Sequence, residues 1–143
     1  LVGAEMCIRD RRKKNSQRNS IRRRVQFCLD AHTVGDMIFI VVNYQVKPEF
    51  ADEWMDHVAE FTAATRAEAG NKWFEWSRSV EDPNQYILVE AFDDDAGEAH
   101  VNSEHFAKGL EAMKPLLAET PKIVSQVLPD KQDWDRMGEL QVD

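Results

Sequence analysis

His100 and His105 stand five residues apart in the stretch Ala99-His100-Val101-Asn102-Ser103-Glu104-His105-Phe106. Histidine ordinarily titrates close to neutral pH, so either ring could serve as a general base. Helix capping or packing is the other use open to both. With no third ligand near them in sequence, the pair is a weak metal signal. Asn43 could hold a developing enolate or phenolate oxygen through its amide, or satisfy a water or backbone group. Trp73, Trp76, Phe92 and Phe106 could stack on a flat aromatic substrate, although aromatics at such spacings more often build a core or a dimer interface. Glu90 could orient a histidine, bind across a dimer, or pair at the rim with Arg78. His57, near Asp56 and Glu60, reads as solvent-exposed. No P-loop, dinucleotide-binding glycine pattern, Gly-x-Ser-x-Gly elbow or Cys pair is present, so nucleotide cofactors and covalent catalysis have no support.

The elements that position these residues follow from periodicity. Ile38–Val46 is β-branched and aromatic and ends at Pro48, a strand signal. Ile38, Ile40, Val42, Tyr44 and Val46 make an apolar face for helices; Phe39, Val41, Asn43 and Gln45 make a mixed one. Glu49–Ala69 reads as one helix with Trp54, Val58, Phe61 and Thr65 inward, and Gly70 as its C-terminal stop. Lys72–Val80 and Gln85–Phe92 form a hairpin around Glu81-Asp82-Pro83-Asn84. On its second strand, Ile87, Val89 and Ala91 are expected to face the helices. Tyr86, Leu88, Glu90 and Phe92 are expected on the opposite face. Asp93-Asp94-Asp95 offers N-caps for a short helix at Ala96–Asn102. Ser103 caps the next, Glu104–Ala118, with Phe106, Leu110, Met113 and Leu117 inward and Pro115 as a break. Ile123–Leu128 is a fourth strand. The order β-α-β-β-α-β is the ferredoxin-like α+β unit. Phe39, Val41, Tyr86, Leu88 and Phe92 would leave a large apolar patch on the free face, which a second copy is expected to close into a dimeric α+β barrel.

Charge divides the chain. Its 143 residues carry a net −8, but residues 1–36 hold nine Lys/Arg against four Asp/Glu, and residues 37–143 nine against 22. Residues 1–36 read as a disordered basic leader, residues 37–129 as the folded domain, and residues 130–143 as an acidic tail with Trp134, Met137 and Leu140. Leu1–Asp10 resembles a translated transposase-type sequencing adapter, with Ala4 the one departure, which makes the leader non-native and Met37 the expected start. Both cysteines, Cys7 and Cys28, lie in the leader. The acidic remainder argues against nucleic acid as a partner. No run reaches the roughly 18 apolar residues of a membrane helix, so a cytoplasmic location without membrane attachment is expected.

From Met37 to Leu128 the sequence resembles the antibiotic biosynthesis monooxygenase (ABM) family, of the quinol monooxygenase type. Ala99–Phe106 matches its Ala-His-x-x-Ser-x-His-Phe signature. Tyr86–Phe92 resembles its aromatic-x-Leu-x-Glu-x-Trp strand, with Phe92 where Trp is commoner. Trp134-Asp135-Arg136-Met137-Gly138-Glu139-Leu140 resembles its tail. The resemblance implies a homodimer that oxidises a small quinol- or anthrone-like aromatic with O₂ as co-substrate and no other cofactor or metal. His105 or His100 would be the base, Asn43 the oxyanion partner, and Trp73, Trp76, Glu90, Phe92 and Phe106 the substrate contacts. Some relatives degrade haem, but the axial histidine they carry is replaced here by Ala107-Lys108-Gly109-Leu110. An isomerase of a phosphorylated sugar would want a basic pocket, which the charge balance disfavours. The alternative is a non-catalytic dimer that binds a small hydrophobic metabolite.

Overall fold

The computed structural model describes residues 35–142, and what was expected of the leader up to residue 34 lies outside them. Among the described residues there are four strands: β1 (Met37–Gln45), β2 (Asn71–Arg78), β3 (Gln85–Asp93) and β4 (Lys122–Leu128). Between β1 and β2 come a 3-10 turn (Pro48–Phe50), α1 (Trp54–His57) and α2 (Ala59–Arg66). Between β3 and β4 come α3 (Gly97–Val101), α4 (Glu104–Met113) and a second 3-10 turn (Lys114–Leu116). The strands pair antiparallel in the order β2-β3-β1-β4, so the α+β, ferredoxin-like arrangement holds.

The expected long first helix is broken. Pro48 starts a 3-10 turn, and the backbone leaves helical geometry at Val58 (φ −98°, ψ 3°). Its inward stripe survives the break: Trp54, Val58, Phe61 and Thr65 are all buried. Each large apolar side chain so buried contributes about 1.5–3 kcal/mol. Gly70 ends this segment for a reason other than a left-handed backbone, since no glycine among the described residues has a positive φ. A Cβ at Gly70 would lie 2.2 Å from the Ala96 Cβ, so the glycine permits the α2–β2 connection to touch the start of α3. The Asp93–Asp95 caps are not used; Ala96 is the N-cap of α3, without a side-chain bond. Ser103 caps α4 as expected, accepting from the Phe106 N–H, and Pro115 lies in the 3-10 turn that ends it.

The faces of β3 are the reverse of those expected. Its register on β1 sets Leu88 opposite Val42, Tyr86 opposite Tyr44 and Glu90 opposite Ile40, and directly opposed residues share a face. Tyr86, Leu88, Glu90 and Phe92 therefore lie beneath the helices and are buried. Ile87, Val89 and Ala91 point to the open face. β3 is apolar on both sides, so alternation alone carries no information about which side is inward; pairing decides it. The Tyr86 hydroxyl resolves its burial by donating to the Ala51 carbonyl at 2.8 Å. The open face is consequently built of Phe39, Val41, Ile87 and Val89, with Val124 exposed at its β4 edge.

After β4 the chain turns at Asp130 (φ 54°) and runs without helix or strand. The Trp134 ring lies 5.2 Å from that of Trp73, and Lys72 Nζ donates to Gln132 Oε1 at 2.6 Å. No helix among the described residues is long and apolar enough to cross a membrane.

Candidate active site

A cavity of about 530 Å³ opens between the inner face of the sheet and α4. Its floor is Val42, Tyr44, Leu88 and Glu90; Phe61, His100, Phe106, Leu110 and Met113 close it from the helices. Such a volume suits a small organic ligand, and a mostly apolar wall with few polar groups is the usual form of such sites. Lys114, Glu119 and Thr120 also border it, in the stretch leading to β4.

Three buried polar side chains line this apolar space. Glu90 is 6% exposed, and its Oε2 has no hydrogen-bond partner among the described residues. Burial raises its carboxyl to about 7, and the nearby Glu68 charge adds to the effect. Tyr44 is pushed well above the ordinary tyrosine range by burial and by Glu90, so its hydroxyl stays protonated. His100 is 4% exposed. Its ring lies 4.5 Å from that of Phe92 and 4.9 Å from that of Phe106, edge-on to the latter.

His100 also meets Glu68, which is not among the residues lining the cavity. Its Oε1 and Oε2 lie 2.9 Å and 3.2 Å from His100 Nδ1, and Oε1 also contacts His105 Nε2. Ser103 Oγ completes the group, 3.2 Å from His105 Nε2. The ligand atoms of Glu68, His100 and His105 lie within 4.8 Å of one another, the spacing from which a divalent ion could be held if the hydrogen bonds between them were given up.

The sequence profile of the family described as "Antibiotic biosynthesis monooxygenase" matches residues 37–112, more than half of the chain. The chain belongs to the antibiotic biosynthesis monooxygenase family. A relative, the "Putative monooxygenase YcnE" of Bacillus subtilis, is 26% identical over 95 residues, which cover 66% of this chain and 100% of the relative. Among solved structures, a "putative antibiotic biosynthesis monooxygenase" from Caulobacter crescentus superposes with a TM-score of 0.62 at 23% identity, covering 74% of this chain and 99% of that one. One of the same description from Nitrosomonas europaea gives 0.60 at 24% identity, covering 64% and 89%. These two likenesses show the ABM fold. Family and relative together support a monooxygenase-like function.

Of the residues expected to form the ABM site, the cavity brings together His100, Glu90 and Phe106. His105 is set back: its side chain is 28% exposed, and it borders two outer clefts rather than the cavity. Asn43 lies across the sheet on the open face, where Gln85 Nε2 donates to its Oδ1 at 3.3 Å, so it does not share a pocket with either histidine. Trp73 is also on the open face, against Trp134. Trp76 donates to Thr62 Oγ1 at 2.9 Å and packs between Tyr44 and Trp54, and Phe92 is wholly buried beneath His100. The expected rim pair of Glu90 with Arg78 does not form: Arg78 bonds Asp52 at 2.7 Å, and Glu90 is enclosed. Sequence reasoning missed Tyr44 and Glu68. Glu68 carried a signal, because an acid just past the last turn of a helix opposes the helix dipole and calls for a local partner.

Proposed function

We propose that this protein is a cofactor-independent monooxygenase acting on a small quinol- or anthrone-like aromatic, with O₂ as co-substrate. The observation that carries the reading is the apolar cavity with two enclosed proton-handling groups, His100 and Glu90, at its wall. A flat aromatic would lie between Leu88 and Val42 on one side and Phe106 and Leu110 on the other. His100 takes the phenolic proton, and the dry surroundings keep the resulting anion reactive. The anion gives one electron to O₂; the aryloxyl radical and superoxide then join in a C–O bond. The peroxide takes up the proton and loses water, so one oxygen atom stays on the substrate. The other leaves as water with two substrate hydrogens. Protonated Glu90 and the Tyr44 hydroxyl donate hydrogen bonds to the oxygens on which charge develops. In this mechanism His105 supports His100, and Asn43 belongs to the open face.

The open face carries Phe39, Val41, Ile87 and Val89, a patch that water covers poorly. A second copy would cover it, which makes the working form a homodimer with one cavity in each protomer.

An oxygen electrode with a reduced naphthoquinone tests the reading. Uptake well above the spontaneous rate, one O₂ per substrate, is the expected result. Tight binding of the quinol with no added uptake would instead establish the metabolite-binding alternative.

A further inference from the structure

With Glu68 ionised and both rings neutral, the bonding around Glu68 leaves one arrangement of protons on the two histidines. An ionised carboxylate only accepts hydrogen bonds, and a backbone carbonyl only accepts. Ser103 Oγ is 2.7 Å from the His100 carbonyl, so its hydroxyl hydrogen is spent there. Its lone pairs take the Phe106 N–H at 3.2 Å and face His105 Nε2 at 3.2 Å. Both neighbours of His105 Nε2, Ser103 Oγ and Glu68 Oε1, are therefore acceptors, and that nitrogen carries a proton. Among the described residues His100 Nδ1 meets only the two Glu68 oxygens, so it carries one as well. A neutral imidazole has one donor and one acceptor nitrogen. His100 thus keeps its lone pair on Nε2 and His105 on Nδ1, and only His100 borders the cavity.

We propose that Glu68 is a positioning residue that holds His100 as its Nδ1–H tautomer, leaving Nε2 as the one histidine nitrogen able to accept a proton from a ligand in the cavity. His105 braces the arrangement by occupying the same carboxylate oxygen from α4. A divalent ion among these three side chains would need the lone pairs of the two nitrogens that here carry protons, so this proton arrangement and a metal held by both rings are mutually exclusive. The catalytic consequence rests on the monooxygenase reading; the tautomer assignment does not.

Long-range proton–nitrogen correlation spectra of the nitrogen-15-labelled full chain, at about pH 8 where an ordinary histidine is neutral, decide the assignment. His100→Gln and His105→Gln identify the signals. The expected pattern is Nδ1–H for His100 and Nε2–H for His105. Glu68→Gln, with its fold checked by circular dichroism, puts an amide N–H donor beside Nδ1 and should move His100 to the Nε2–H form. An Nε2–H pattern for His100 in the wild-type chain overturns the proposal, and so does stoichiometric Zn²⁺ binding that chelates both rings. In the oxygen electrode, Glu68→Gln should lower kcat by about 100-fold or more with KM within twofold, because the base is lost and not the pocket. If the wild-type chain shows no uptake, the monooxygenase reading fails while the spectra still decide the role of Glu68.

Discussion

Glu90 is the residue in which sequence, burial and chemistry meet. Its carboxyl is raised from 4.5 to about 7, first by burial and then by Glu68. The folded chain therefore holds this proton more tightly than the unfolded chain does. The resulting stabilisation is complete below about pH 4.5 and is lost as pH rises through about 7. Glu90→Gln cannot ionise, so the stability of the variant relative to wild type should improve by about 3 kcal/mol between about pH 4.5 and pH 8. Urea unfolding at the two pH values measures it, and a gap that does not change with pH would contradict the burial argument. Glu90 was legible in sequence as a carboxylate on a strand, but its role was not. A rim salt bridge and an enclosed acid differ only in which face of β3 is inward. That face is fixed by pairing with β1, a contact between residues far apart in the chain. His100 and His105 show the same limit: five residues of spacing brought them to one carboxylate, but which ring meets the cavity depends on where α3 and α4 dock.

At the scale of elements, the cavity depends on how closely α4 approaches α2. Gly109 sets that distance: a Cβ there would lie 2.7 Å from Phe61 Cδ2, and Phe61 is itself a wall of the cavity. Gly109→Ala should destabilise the domain by about 1–3 kcal/mol through overpacking. It should also weaken quinol binding, because Phe61 has to move. Gly138→Ala is the control, since nothing lies within 4 Å of its Cβ position; its melting temperature should match wild type. Thermal unfolding of the two variants gives the comparison, and equal melting temperatures would refute the close-packing argument. Strand and helix order could be read from β-branched runs and the Trp54-Val58-Phe61-Thr65 stripe because these patterns are local. The break at Val58 and the glycine contacts could not, because they answer to neighbours in space.

At the scale of the molecule, one sheet face is occupied by helices and the cavity, while the other is apolar and open. Its composition differs from the sequence reading, with Ile87 and Val89 in place of Tyr86, Leu88 and Phe92, yet it stays apolar because β3 is apolar on both sides. Val89→Lys should convert a dimer to a monomer in analytical ultracentrifugation, at an unchanged fold. A wild-type chain that sediments as a monomer would remove the dimer from the account. On the proposed function, the helix-side cavity is the reaction site and His100 its base. O₂ uptake with a reduced naphthoquinone, compared among wild type, His100→Ala and Asn43→Ala, tests it most directly. His100→Ala should lose roughly 100- to 10,000-fold in kcat, while Asn43→Ala, on the far face, should stay within about threefold. A His100→Ala rate equal to wild type, with Asn43→Ala the slow variant, would contradict it.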